Sequence, residues 1–137
     1  MPFLVDTNVI SELNKPAPDP NVLAWFEPIP GDDLYLSVLV IGEIRQGIHR
    51  LRQRDEHRAA RLELWLETIR QTYADRILPV TAAVAEEWGR LNTPDPIATV
   101  DGLMAATALV HDLTFATRNT KHIERTGVRL VNPFEPA

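Results

Sequence analysis

The sequence predicts an α/β fold in which a central, mostly parallel sheet of four to five strands is flanked by helices. Short apolar segments of strand length alternate along the chain with longer amphipathic segments, and this alternation is typical of a parallel sheet covered by helices. The chain has 137 residues, of which 45% are hydrophobic and 24% are charged. These values are ordinary for one globular domain. We therefore expect a single domain over residues 1–137.

The first third of the chain contains two predicted strands and two short helices. Residues 3–5 form an apolar strand that ends at Asp6, whose side chain is suited to cap a helix through Leu13. Three prolines stop that helix, and a second short helix is expected over residues 22–26. Residues 34–37 are predicted to form the second strand.

The middle of the chain is predicted to be mainly helical. Helices are expected from Val38 to about Arg52 and from Asp55 to about Tyr73. A short third strand is expected over residues 76–80. A helix capped by Thr81 follows and runs through Leu91.

The last third alternates again between helix and strand. An apolar helix is expected over residues 98–111, and a fourth strand over 113–117. A helical turn over 119–125 is closed by Gly127. The last strand is predicted over 128–131.

Composition excludes several classes of protein. The chain has no cysteine, which excludes a disulfide scaffold, a zinc ribbon and a thiol nucleophile. Its 14 basic and 19 acidic residues give a net charge of −5, whereas a nucleic-acid coat protein is normally basic. We find no secretion signal and no apolar run of about 18 residues, so we expect a cytoplasmic protein without a membrane span.

Three carboxylates lie in apolar surroundings, where an ionised side chain costs several kcal/mol unless a cation or hydrogen bonds compensate. Asp6 ends the first strand, Glu43 lies in the helix that opens Val-Leu-Val-Ile, and Asp101 lies in the apolar helix. Because ligands bind at the carboxyl ends of parallel strands, we expect a shared oxygen-ligand cluster near Asp6. Such a cluster suits Mg²⁺ or Mn²⁺ and metal-activated attack of water on phosphorus.

A structural role for each acid is the alternative interpretation. Asp6 is then a helix cap, Glu43 is exposed or paired with Arg45, and Asp101 caps its own first turn. The spacing of the acids leaves both interpretations open.

Four segments follow one another in the order of a known family's motifs. They are LVDTNVISEL at 4–13, SVLVIGEIRQGI at 37–48, DGLMAATA at 101–108 and TRNTKHI at 117–123. Together with the closing residues 127–134, they resemble PIN-domain proteins, in particular the VapC-type toxins of bacterial toxin–antitoxin modules. The resemblance spans nearly the whole chain.

This resemblance implies a PIN-like domain with metal-dependent endoribonuclease activity on structured RNA, either tRNA or rRNA. Asp6, Glu43 and Asp101 would hold Mg²⁺ or Mn²⁺, and Thr117 would hydrogen-bond in the same cluster. The family's fourth acidic position falls at Asn119, which offers a carbonyl oxygen without charge. The resemblance further implies a homodimer and a cognate antitoxin that covers the active-site groove.

Further polar residues adjoin these motifs. Arg45 and Arg118 either hold a substrate phosphate or pair with a neighbouring acid, and Thr7 and Asn8 are further candidates for substrate binding. Six arginines between residues 45 and 61 form either a phosphate-tracking surface or a solvated helical pair.

Two more side chains near the motifs have both a functional and a structural interpretation. Glu12 either supports the cluster or is exposed to solvent. His122 follows the fourth motif and either approaches the site or is an ordinary surface histidine, which is the preferred interpretation.

A second function belongs to a different class. Because Asn119 replaces an acid, the chain is alternatively a catalytically weakened binding module that acts with an antitoxin in transcriptional autoregulation. Metal-dependent RNA cleavage distinguishes the two hypotheses.

Overall fold

A five-stranded sheet lies at the centre of the molecule, and every neighbouring pair of strands is parallel, which confirms the predicted fold class. The structure is a computed structural model that describes residues 1–136. The strands are β1 (Phe3–Val5), β2 (Leu34–Ser37), β3 (Ile77–Leu78), β4 (Thr114–Ala116) and β5 (Leu130–Val131). Their spatial order is β3-β2-β1-β4-β5. The order reverses between β1 and β4, and ligands of open parallel sheets bind at that position.

Six helices over residues 1–136 connect and cover the strands. They are α1 (Thr7–Leu13), α2 (Pro20–Phe26), α3 (Val38–Arg52), α4 (Glu56–Thr72), α5 (Ala82–Leu91) and α6 (Thr99–Val110). Short 3₁₀ turns occupy Gly31–Asp33 and Glu124–Thr126. None of these helices is both long and apolar enough to cross a bilayer.

Several predicted segments are shorter in the structure than in the sequence-based assignment, and the strand over 113–117 and the helix over 98–111 each lose one residue at both ends. The strand expected over 76–80 is reduced to Ile77–Leu78, because Pro79 has no amide hydrogen with which to continue the ladder. The strand expected over 128–131 begins at Leu130. The helical turn expected over 119–125 is a 3₁₀ turn at Glu124–Thr126, which ends where Gly127 adopts a positive φ of 79°.

The core is built around the two central strands. Leu4 and Val5 of β1 and Phe115 of β4 are fully buried, since helices cover both faces of a parallel sheet. Helices α3 and α4 pack together as one pair, and α5 and α6 as another. The strand ends at the switch point therefore rest on a rigid, buried base.

Candidate active site

Asp6 lies at the carboxyl end of β1, at the switch point of the sheet. Its side chain is only 4% exposed. The hydroxyl of Thr117, which follows the neighbouring strand β4, donates to Asp6 Oδ2 at 2.6 Å. The amide of Thr7 donates to Asp6 Oδ1 at 2.7 Å and so caps α1. Asn8 Nδ2 makes a longer contact with Asp6 Oδ2 at 3.4 Å.

Thr7 links a second carboxylate to Asp6. Its hydroxyl donates to Glu43 Oε1 at 2.5 Å, while its amide is bound to Asp6. Glu43 is held in position by α3, which starts directly after β2. The buried Ser37 caps this helix by accepting from the amide of Leu39 at 3.0 Å. One threonine thus aligns acids that are 37 residues apart in sequence.

Asp101 completes the group from the first turn of α6. Burial raises its pKa above the ordinary value, and the nearby His122 opposes that rise. Burial is also the main cause that raises the pKa of Asp6 to about 6, against the lowering effect of its bonds from Thr117 and Thr7. The charges of Asp101 and Glu43 raise the pKa of Asp6 further. The three acids therefore share one electrostatic site.

The donor set of this site fits a hard divalent cation. Asp6, Glu43 and Asp101 offer only oxygen ligands, which suits Mg²⁺ or Mn²⁺. Burial disfavours the ionised form of Asp6. A bound cation would favour this ionised form. No three acidic, histidine or cysteine side chains within residues 1–136 lie close enough together to hold a metal ion. The fit to a cation therefore rests on the chemistry of the donors and on the electrostatic coupling of Asp6 to the other two acids.

A cleft beside Thr7 and Glu43, here called the α4 cleft, has a volume of about 570 Å³. One wall is formed by Arg58, Arg61 and Trp65 of α4. The opposite wall comes from α1 and the residues just after it. The other lining residues are Ser11, Asn14, Lys15, Pro16, Ile44, Gly47 and Leu62.

A second cleft, here called the Asp101 cleft, lies on the other side of the acidic group and has a volume of about 670 Å³. Asp101 and Asn119 line it together with Lys121 and His122. The amide of Asn119 donates to the Thr117 hydroxyl at 3.1 Å, which connects this cleft to Asp6. Both expected positions of His122 hold, since the residue is exposed and also lies near Asp101.

Two arginines singled out in the sequence make other contacts. Arg45 pairs with Glu63 of α4 at 2.5 Å and lines neither cleft. Arg118 is exposed and its guanidinium stacks on the ring of Phe134 at 4.0 Å. Its amide donates to Asn8 Oδ1 at 3.4 Å, so its backbone is tied to the site.

Glu12 is buried and does not contact Asp6, Glu43 or Asp101 by a hydrogen bond. It accepts from the amide of Asp19 at 2.9 Å and pairs with Lys15 at 2.9 Å. The hydrogen bond from Lys15 lowers the pKa of Glu12. Solvent exposure, one of its two expected states, is wrong; Glu12 braces the turn between α1 and α2.

Comparison with known proteins gives consistent matches over the whole chain. A model described as PIN domain matches residues 3–128. The chain is 36% identical to Toxin FitB of Neisseria gonorrhoeae, with 96% of this chain and 98% of that protein covered. It is 34% identical to VapC ribonuclease Y4jK of Sinorhizobium fredii, with 98% and 99% covered.

Solved structures give the same result. The structure of FitAcB from Neisseria gonorrhoeae superposes with a TM-score of 0.90 at 36% identity, over 97% of this chain and 99% of that chain. A structure of FitAB bound to an IR36 DNA fragment superposes with a TM-score of 0.88 at 34% identity, over 98% and 97% of the two chains.

Proposed function

The chain belongs to the PIN domain family, and on that premise we propose that it is a metal-dependent endoribonuclease toxin, neutralised by a cognate antitoxin. Its substrate is structured RNA, either tRNA or rRNA, and it acts in the cytoplasm. The observation that carries the proposal is the buried Asp6 carboxylate at the switch point, with Glu43 and Asp101 beside it. Relatives named as a toxin and as a ribonuclease support it.

Different residues of the chain would have different roles in the reaction. Asp6, Glu43 and Asp101 would hold the cation. Bound Mg²⁺ or Mn²⁺ supplies an acidified water for attack on phosphorus and offsets the charge that develops on the phosphate. Thr117 fixes Asp6 by a bond to Oδ2, and Thr7 fixes Glu43.

These threonine bonds hold both carboxylates before RNA arrives, so little reorganisation is needed when the substrate binds. Asn119 lacks the charge of an acid, which favours a single cation on the side of Asp6 and Glu43.

The α4 cleft is the surface that we assign to the antitoxin. It adjoins Thr7 and Glu43 and contains the apolar side chains of Leu62 and Trp65. A peptide chain seated there blocks access to the acids. Relatives solved as FitAcB and FitAB support such a partner. We further expect the toxin to form a homodimer.

Cleavage of purified total tRNA and rRNA tests the proposal directly. We expect discrete cuts with Mg²⁺ or Mn²⁺ and none with EDTA. Asp101→Asn keeps the fold and lowers the cleavage rate by about 100-fold or more, because one of the three carboxylates that would hold the metal ion is lost. Asp32→Asn is the matched control, since Asp32 is fully exposed, and it cleaves like wild type. Wild-type cleavage by Asp101→Asn contradicts the assignment.

Asn119 favours a second candidate function. A site that lacks one acid fits a binding module that acts with an antitoxin in transcriptional autoregulation, and a relative was solved in the FitAB complex on DNA. The test uses folded, metal-loaded protein that has been freed of antitoxin. This second function is supported if the protein cuts neither tRNA nor rRNA, yet increases the affinity of added antitoxin for its promoter DNA.

A further inference from the structure

The Asp101 cleft has the size and lining of a binding site in its own right. Its volume of about 670 Å³ falls within the range of about 300–1,000 Å³ that small-ligand sites occupy. One wall is the segment 96–98 before α6, and the other is the segment that follows β4. Asp101 belongs to this cleft and to the acidic group, so whatever fills the cleft lies directly beside the proposed reaction centre.

Two nitrogen-bearing side chains on the wall after β4, Lys121 and His122, are free to bind an anion. Lys121 and His122 line the cleft and are exposed. Within residues 1–136 their side chains make neither an ion pair nor a hydrogen bond. Asn119 adds an uncharged amide to the same wall. The same wall also contains Glu124 and Arg125, and Lys121 gives it a free positive charge next to the acidic group.

The two walls of the cleft are tied to each other by hydrogen bonds. Arg125 donates to the carbonyl oxygens of Leu91, at 3.2 Å, and of Asp95. The side chain of Asn92 accepts from the amide of Ile97 at 2.8 Å. The Arg125 bonds fix the loop between α5 and α6 against the segment that carries Lys121, and the Asn92 bond holds that loop in shape. A site held in this way loses little entropy when a ligand binds.

The wall before α6 suits the sugar and phosphate of a nucleotide. Pro96, Ile97 and Ala98 give it an apolar surface. Ala98, the N-cap of α6, offers no side-chain acceptor to the first amides of the helix. The positive end of this 12-residue helix thus adds to the attraction that Lys121 and His122 exert on an anion.

We propose that the Asp101 cleft binds the RNA nucleotide next to the scissile phosphate, with Lys121 and His122 holding its phosphate oxygens. The inference rests on the proposed function and deepens it. Phosphates approaching three carboxylates are repelled, and cations on this side offset that repulsion. Basic residues line both clefts, and the α4 cleft has Lys15, Arg58 and Arg61. The two clefts differ because Leu62 and Trp65 give the α4 cleft an apolar surface that suits a protein segment, whereas the Asp101 cleft contains Asp101 itself.

Equilibrium binding of RNA without cleavage is the first test. Fluorescence anisotropy with a labelled single-stranded RNA of about 12 nucleotides is measured in EDTA over a range of salt concentrations. We expect Lys121→Ala to raise Kd by about threefold to tenfold. It also lowers the slope of log Kd against log salt by about 0.7, the value for one phosphate contact on a single strand. His122→Gln raises Kd in the same direction.

Steady-state cleavage with Mn²⁺ is the second readout. A lost substrate contact raises KM by a larger factor than it lowers kcat. Arg70→Ala is the matched control: it also removes one exposed positive charge, but Arg70 lies at the end of α4 and lines neither cleft. Melting temperatures of all variants show that the fold is retained.

The outcomes separate this inference from the proposed function. The subsite alone is overturned if wild type cleaves RNA but the cleft variants behave like the control. In that outcome Lys121→Ala and His122→Gln bind RNA as tightly as Arg70→Ala and show the same salt slope. Variants that bind RNA normally but bind the antitoxin weakly assign the cleft to a protein partner and also overturn the subsite. Wild type that neither binds nor cleaves RNA contradicts the proposed function itself.

Discussion

Asp6 combines a structural and a chemical role, because its two oxygens face different partners. Oδ1 accepts from the Thr7 amide and starts α1, while Oδ2 accepts from Thr117 and contacts Asn8. The sequence left helix capping and metal binding as alternatives for this residue. Each carboxylate oxygen has more than one lone pair, so the cap leaves room for a cation.

Ionisation of the buried Asp6 should destabilise the folded state of the metal-free protein. Its pKa of about 6 lies above the ordinary 3.8, so the folded state binds the extra proton between about pH 4 and pH 6. The free energy of unfolding therefore falls as the pH rises through this window, by about 3 kcal/mol at most. Asp6→Asn escapes this loss, and we expect it to be more stable than wild type at pH 7 in EDTA and nearly equal at pH 4.

Urea denaturation at pH 4, 5, 6 and 7 measures this difference. Asp32→Asn provides the comparison, because Asp32 is fully exposed. A wild-type protein that matches Asp6→Asn at pH 7 shows that ionised Asp6 is not destabilising.

Among the elements, the pair α5 and α6 sets the position of Asp101. Gly102 follows Asp101, and a Cβ added there would lie 3.1 Å from Trp88 Cδ1 and 3.2 Å from Trp88 Nε1. The absent side chain lets the indole lie against α6. Asp101 is thereby held on the side of the helix that faces Asp6 and the Asp101 cleft.

Gly102→Val should lower the free energy of unfolding by about 1–3 kcal/mol, because the new side chain is forced against Trp88. Gly89→Val on α5 is the matched control, since a Cβ at Gly89 meets no atom within 4 Å. It should leave stability unchanged or raise it by a few tenths of a kcal/mol. Thermal denaturation of both variants measures the difference, and equal stability of the two excludes tight packing at Gly102.

Local signals explain which elements were predictable from the sequence. The strand 34–37 and the helix 38–52 match the structure to the residue, because Ser37 marks the junction by capping the helix. The segment 119–125 is less regular than expected, since its backbone is set by Gly127 and by contacts with the loop between α5 and α6. Such long-range contacts leave no periodic pattern in sequence.

The proximity of the three acids could be predicted from the sequence, whereas the partner of Arg45 could not be chosen between a substrate phosphate and an acid. Asp6 and Asp101 stand out because a carboxylate in an apolar segment is costly. The partner of Arg45 is Glu63, 18 residues away on the next helix, and only the packing of α3 on α4 reveals it. The sequence also could not decide whether His122 approaches the site, because its proximity to Asp101 depends on the path of the chain after β4.

The whole molecule has a net charge of −5, and its acidic centre is assembled from three separate segments, which carry Asp6, Glu43 and Asp101. A cation that binds all of them stabilises the folded state alone. Mn²⁺ at about 100 times its Kd should raise the free energy of unfolding by about 2.7 kcal/mol. The gain should be larger at pH 7.5 than at pH 5, because the metal needs an ionised Asp6.

Thermal shift with Mn²⁺ against EDTA measures this coupling without any RNA. The double variant Asp6→Asn/Glu43→Gln should show no shift. A shift of equal size in the double variant places the cation elsewhere, and no shift in wild type contradicts a metal site at these residues.

The pairing of β1 with β4 has a consequence for how the protein is made. On the ribosome the first strand emerges early, but its neighbour β4 and the hydroxyl of Thr117 follow 111 residues after Asp6. Until that segment has been translated, neither β4 nor the Thr117 hydroxyl is present to hold Asp6 in position beside the other acids. A nascent or truncated chain that stops before Thr114 therefore lacks both the strand and the hydroxyl that hold Asp6. The proposed ribonuclease would acquire its activity only when translation of the chain is almost complete.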